Sequence, residues 1–162
     1  WDAPRASGVG IMWISFAHTT DAVIMDRKTK TRRDWVISHV KKFRADQVVD
    51  FWNKNPRNGG LKMGSITLAK APYLENTRHL AYPEDYEAEG FAFMEECGIQ
   101  MAGMPPLIFF QRWKAEKVLL YVVEFRLHLL TEAGSRRKSE LQGTVSHDQV
   151  DLLGNEVKHE GK

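Results

Sequence analysis

The sequence predicts an α+β fold, a small β-barrel with short covering helices. Three observations lead there. Four or five runs of β-branched and aromatic residues are spaced along the chain, with short helical stretches between them. Two of the runs, 47–52 and 61–68, flank the turn-forming segment Asn53-Lys54-Asn55-Pro56-Arg57-Asn58-Gly59-Gly60, the signature of a hairpin. No glycine-rich phosphate loop, CxxC pair or HExxH motif is present, so the usual marks of a doubly wound nucleotide fold, a thiol redox site or a zinc hydrolase are missing.

In chain order, residues 1–10 are rich in turn formers and read as an irregular N-terminal segment. Ile11–Phe16 is apolar and reads as a buried strand. Thr19 or Thr20 is placed to cap a short helix ending near Met25, with Ala22, Val23 and Met25 on its apolar side. The stretch Lys28-Thr29-Lys30-Thr31-Arg32-Arg33 follows as a loop or the start of a strand. Asp34 is then placed to cap a helix carrying Trp35, Val36, Val40 and Phe43. After the hairpin, Pro83 begins a helix expected to run to about Glu96, with Glu84 and Asp85 at its positive end. Pro105-Pro106 begins another helix, its apolar face formed by Leu107, Phe110 and Trp113. Val118–Leu130 is the longest apolar run and supplies the closing strand, with Glu124, Arg126 and His128 turned outward. Residues 131–162 contain no aromatic residue and few apolar ones, and read as a polar C-terminal extension. The domain proper is therefore 11–130.

Composition excludes several classes of function. A chain of 162 residues suits one domain, and a formal net charge of +2 does not mark the whole molecule as a nucleic-acid binder. Its one cysteine, Cys97, excludes an internal disulfide, fits a reducing cytoplasmic compartment, and reads as a small buried hydrophobe. No apolar run approaches the ~18 residues of a membrane span. The six histidines (His18, His39, His79, His128, His147 and His159) are scattered without ligand spacing, so no metal site is expected. The basic stretch is what stands out. It places cations and hydroxyls just after a core strand, a pattern that suits an anionic or hydrogen-bonding ligand as well as it suits a solvated charge run.

Four motifs in this order carry a resemblance: Ser15-Phe16-Ala17-His18-Thr19-Thr20, Arg27-Lys28-Thr29-Lys30-Thr31-Arg32-Arg33, Asp85-Tyr86-Glu87-Ala88-Glu89-Gly90-Phe91, and Tyr121-Val122-Val123-Glu124-Phe125. Together they resemble the ASCH domain, a member of the PUA-like superfamily of small β-barrels that handle RNA. The likeness spans roughly residues 11–128. It implies a cleft between the barrel and its covering helices, lined by the basic stretch. Members of the family include amidohydrolases that remove an acyl group from N4 of cytidine with a Lys, a Thr three residues later and a Glu further on. Those positions fall on Lys28, Thr31 and Glu89. The resemblance also implies substrate contacts at Ser15, Arg32, Arg33, Trp35 and Phe91, a modified nucleoside or RNA as partner, and no cofactor. Other family members are ribonucleases or bind RNA only. The 53–60 turn, the 98–106 connection and the tail are longer than in the shortest members.

Amide hydrolysis needs a nucleophile, a group that takes and returns its proton, and stabilisation of a tetrahedral oxyanion. The expected roles are attack by Thr31, activation by Lys28 and proton transfer by Glu89, with Lys28 as direct nucleophile the nearest rival. Arg32 and Arg33 are equally suited to bind a phosphate or base carbonyl and to pair with the acidic helix. Trp35 and Phe91 suit stacking on a base or core packing. A ribonuclease would use the same cations on a phosphate, and a non-catalytic reader would hold a base against an aromatic.

Overall fold

The computed structural model describes residues 12–143. Its elements are β1 (Trp13–Ser15), α1 (Thr20–Ile24), β2 (Lys30–Arg33), α2 (Ile37–Val40), β3 (Val48–Trp52), β4 (Lys62–Leu68), β5 (Tyr73–Asn76), α3 (Glu84–Ala88), α4 (Phe91–Glu96), α5 (Pro106–Glu116) and β6 (Leu119–Leu130). A last helix, α6, occupies 132–143. The irregular segment expected over 1–10 and the residues beyond 143 lie outside the described part.

The six strands form one curled sheet in the order β1-β3-β4-β6-β2, with β5 also on β6. β1 and β3 are parallel, and every other pair is antiparallel. The hairpin expected across 53–60 joins β3 to β4, with Phe51 opposite Gly64. β6 organises the sheet because it is twelve residues long. Its C-terminal half pairs with β4, and its N-terminal half lies between β2 and β5. No backbone ladder joins the two end strands, β1 and β2, among the described residues. The barrel is therefore half-closed, with a seam between them.

The curl encloses the main core: Ile14, Phe16, Val23, Ile24, Phe43, Val49, Phe51, Met63, Ile66, Leu68, Val123 and Phe125. In β4 the buried positions are Met63, Gly64, Ile66 and Leu68; the last three alternate, and Met63 breaks the alternation. Met63 is the extra residue where the register with β3 slips, Phe51 facing Gly64 and Trp52 facing Lys62, and one extra residue on a strand reverses the face of its neighbours. A second cluster of Leu80, Tyr86, Phe91, Met94 and Phe110 binds α3, α4 and α5 into a helical layer. As expected, Phe110 is its buried anchor on α5, and Leu107 and Trp113 pack against the cluster.

The local differences have physical causes. The helix expected from Pro83 to Glu96 is two helices, α3 and α4, broken at Gly90 with φ +86°. The helix expected after Asp34 shrinks to α2, because Val36 is extended (φ −75°, ψ 149°) and Trp35 folds onto Phe43. α1 has no side-chain N-cap; the Thr19 and Thr20 hydroxyls donate backwards to the Phe16 and Ala17 carbonyls. β5 has no counterpart in the sequence reading. Cys97 is exposed, not buried, since it ends α4 on the surface. The expected polar extension begins as α6, which seats Ala133 and Leu141 on the main core and bonds Arg137 to Asp21 through two guanidinium nitrogens. Among the described residues, no helix is long and apolar enough to cross a membrane.

Candidate functional site

β2 carries the basic stretch, and its pairing with β6 fixes where each side chain goes. Residues directly opposite one another share a face. Thr31 pairs with Val123, a residue of the main core, and Arg32 pairs with Val122. Thr31 and Arg33 therefore emerge on the barrel-interior face. Lys30 and Arg32 emerge on the other, where Asp85 of α3 meets both of them.

The end of α3 is clipped onto this strand. The Thr29 N–H donates to the Ala88 carbonyl at 2.8 Å, so Glu89 arrives beside Lys28. Gly90 makes the approach possible. A Cβ built there would stand 2.9 Å from the Ala22 Cβ and 3.3 Å from the Lys28 Cβ. The corner after Glu89 thus needs a residue with no side chain and a left-handed backbone, and glycine supplies both.

Lys28 and Glu89 meet. The Lys28 Nζ donates to the Glu89 backbone carbonyl at 2.7 Å and to its Oε2 at 3.2 Å. Arg32 donates to the other carboxylate oxygen, Oε1, at 2.6 Å. Lys28 is 3% exposed, Thr31 5%, Arg32 7% and Glu89 2%, so this is an ionic cluster out of contact with bulk water. Arg32 also donates to Glu75 at 2.9 Å and to Asp85 at 3.3 Å. Asp85 is held in turn by the Ala81 N–H and Lys30, and Lys30 approaches Glu124 at 3.6 Å.

The electrostatics separate the cations. Burial lowers the Lys28 pKa below its ordinary value; Glu89 opposes the fall, and Arg33 and Arg32 add to it. Arg32 moves the other way. Burial disfavours its charge, but Glu89, Glu75 and Asp85 more than offset that and raise its pKa. Arg33 is lowered by burial, against the opposing charge of Glu89. Asp85 is desolvated, yet its bond from Ala81 and the charges of Arg32 and Lys30 bring its pKa down.

Thr31 stands apart from the ion pair. No hydrogen bond joins its hydroxyl to Lys28 or Glu89. Its Oγ1 instead accepts from the Arg33 Nε at 3.2 Å. The two groups are linked through Phe16, whose ring lies 6.0 Å from the Lys28 Nζ and 5.5 Å from the Arg33 guanidinium carbon. Ser15 contributes its backbone carbonyl, which accepts from the Arg33 Nη2 at 2.6 Å across the seam.

Neighbouring rings engage both expected stacking residues, Phe91 wholly and Trp35 in part. Phe91 is 2% exposed, with the rings of Tyr86, Phe109, Phe110 and Trp113 about it at centroid distances of 5.8 to 6.1 Å. It is the centre of the helical layer and offers no face to a base. Trp35 is half-buried, with one face stacked on Phe43 at 4.8 Å and 9° and His39 against its edge. For Arg32 the structure supplies the expected pairing with the acidic helix, through Asp85 and Glu89, and adds Glu75, which the sequence reading missed. Asp85 lies in the same acidic motif as Glu89, whereas Glu75 lies on the unanticipated β5 with no local signal. A solvent-open depression of about 480 Å³ lies nearby, lined by Asp26, Arg27, Thr29, Glu84, Glu87 and Ala88, and Lys28, Thr31 and Glu89 do not line it. Among the described residues no group of three His, Cys, Asp or Glu side chains is arranged to hold a metal.

Comparison with known proteins adds little to this geometry. No family model and no curated protein matches the chain. Among solved structures it is similar to protein EF3133 of Enterococcus faecalis V583, assigned to the family model DUF984, at 16% identity and a TM-score of 0.45, over 75% of this chain and 82% of that one. A likeness that remote carries neither an activity nor a site residue across.

Proposed function

We propose that this protein is a hydrolase of the ASCH type that removes an acyl group from the N4 amide of a modified cytidine nucleoside or a related base. The observation that supports this reading is the buried contact of Lys28 with Glu89, 61 residues apart in sequence and 3.2 Å apart between Nζ and Oε2. Fully buried lysines are rare, and burial lowers the Lys28 pKa from its ordinary value, the direction a general base needs. The resemblance independently calls for a Lys and a Glu at these positions.

The neutral Lys28 amine takes the Thr31 hydroxyl proton as Oγ1 attacks the acyl carbon, forming a C–O bond and a tetrahedral oxyanion. Collapse breaks the bond from the acyl carbon to N4. Glu89 relays the proton from Lys28 to the departing N4 amine. Water then attacks the threonyl ester with the same two groups moving its proton, which releases the carboxylic acid and restores the hydroxyl. The Lys28–Thr31 contact forms only when substrate is bound, as is common for catalytic hydrogen bonds that are long in the free enzyme. Arg32 acts at one remove, holding Glu89 in place.

The test is chromatographic separation of N4-acetylcytidine from cytidine after incubation with wild type, Lys28→Ala and Thr31→Ala. Wild type is expected to produce cytidine and each variant to lose on the order of 10²-fold or more in kcat. Variants that fold and turn over at the wild-type rate would refute the assignment.

A further inference from the structure

Three apolar side chains lie together on the sheet face that carries Thr31, where it runs out past the core. Leu74 is 53% exposed and Leu119 61%. Tyr121 is half-buried, with no ring contact and no side-chain hydrogen bond among the described residues. Strand register brings the three together. Tyr121 on β6 lies opposite Arg33 of β2 on one side and Leu74 of β5 on the other, and Leu119 is two residues back along β6. Residues opposite one another share a face, so the three continue the barrel-interior face beyond Val123, the core partner of Thr31. The helical layer meets the other face, through Asp85. A single exposed leucine on a surface needs no explanation, but two beside an unengaged tyrosine that adjoins the candidate nucleophile make a patch with a direction.

The order of groups along β2 decides what covers that patch. Lys28 and Glu89 meet just before the strand begins, Thr31 is its second residue and Arg33 its last. In the proposed reaction the acyl carbon bonds to Thr31 Oγ1 and the departing N4 turns towards Lys28 and Glu89. The remaining substituent of that carbon therefore points the other way along the strand, to Tyr121. Tyr121 stands diagonally across from Thr31, about 7–8 Å away, too far for an acetyl methyl group and within reach of a longer chain. We infer that Tyr121, Leu74 and Leu119 form the acyl-binding strip of the site, which selects cytidines whose N4 carries a longer apolar acyl chain over the acetyl compound. The assignment to an acyl group rests on the hydrolytic reading, whereas the strip's affinity for an apolar chain does not. Asn76, opposite Leu119, is neutral, so the strip puts no charge against such a chain.

The test compares kcat/KM for N4-hexanoylcytidine and N4-acetylcytidine in wild type, Leu74→Ser and Leu119→Ser, and titrates hexanoate against each protein by ligand-observed NMR. Both leucines are more than half exposed, so serine leaves the packing beneath them in place. Circular dichroism establishes that each variant is folded, and either one carries the test if the other is not. Burying a methylene strengthens binding about fourfold, so the four that hexanoyl adds are expected to raise kcat/KM on the order of 10²-fold over acetyl in wild type. Each serine variant is expected to lower that hexanoyl-to-acetyl ratio on the order of tenfold and to weaken hexanoate binding. A ratio near one in wild type, or one that neither variant lowers, would overturn the strip and leave the hydrolase standing. Hexanoate binding that both variants weaken, in a wild type that hydrolyses neither compound, would sink the hydrolase and keep the apolar site. Neither hydrolysis nor hexanoate binding would remove both. A wild type that self-associates on sedimentation and shows no chain-length preference, with both variants monomeric, would give the strip to a second copy of the chain and refute the inference.

Discussion

Replacing Gly90 by alanine isolates the feature that lets Glu89 reach Lys28. Two costs arise there. The φ of +86° places the residue in the left-handed region, which costs an L-residue roughly 1–2 kcal/mol. The new methyl group also meets the Ala22 Cβ at 2.9 Å and the Lys28 Cβ at 3.3 Å. Ala22 is fully buried and has no side-chain freedom with which to retreat, so overpacking adds about 1–3 kcal/mol. The sum is about 2–5 kcal/mol, a large share of the ~5–15 kcal/mol that holds a domain folded. Gly98 provides the control. Its φ is +68°, also left-handed, but nothing lies within 4 Å of a Cβ built there. Gly98→Ala therefore carries the backbone cost alone, about 1–2 kcal/mol. Urea unfolding of the two variants subtracts one from the other and leaves the steric contribution. A difference of about 1–3 kcal/mol is expected. Equal losses within about 0.5 kcal/mol would show that the corner is not tightly packed on Lys28. A folded Gly90→Ala protein is also expected to lose activity, since displacing a catalytic group by an ångström can cost about 10²-fold.

Other outcomes follow from the same geometry. Arg32→Met leaves Glu89, Glu75 and Asp85 without their shared cation and should destabilise the protein by about 3–5 kcal/mol in urea, whereas a loss under 1 kcal/mol would mean the cluster is not cohesive. Because the folded Lys28 pKa lies below 10.5, its burial penalty is present in full below the folded pKa, where both folded and unfolded states carry the proton. That penalty shrinks as pH rises towards the unfolded value, so the stability of wild type relative to Lys28→Met should increase over that window, and a flat difference would contradict the shift. The rate should likewise rise with pH through a limb below 10.5. Phe91→Ala should cost about 3–5 kcal/mol through the helical layer while leaving KM of the folded fraction unchanged, and a KM effect would restore it as a substrate contact. Nucleoside hydrolysis should hardly respond to salt, whereas the RNA-binding alternative demands steep weakening.

How much of this was legible in the sequence depends on the range of the interaction that decides each feature. β3, β4 and β6 follow from apolar patterning, and the β3–β4 hairpin from Pro56, Gly59 and Gly60, all local signals. The break in alternation at Met63 comes from a bulge fixed by pairing with β3, which no window on β4 contains. β5 is short, half-buried and polar at Glu75 and Asn76, so it has no apolar period to read. The α3–α4 break depends on how closely Gly90 approaches Ala22, a contact across the fold. In the site, Lys28 and Glu89 are joined by the resemblance to the ASCH motifs, where periodicity does not link them. Arg32 and Arg33 are indistinguishable as adjacent arginines, and only the strand's two faces separate a cation saturated by carboxylates from one facing the seam.

The most direct test of the hydrolytic account is release of cytidine from N4-acetylcytidine by wild type and by Glu89→Gln, which keeps the side chain's shape and removes the carboxylate that Lys28 and Arg32 share. Wild type should release cytidine and acetate in equal amounts, and the folded variant should be slower by on the order of 10²-fold or more. Release at the wild-type rate by a folded Glu89→Gln protein, or none by wild type, would contradict it.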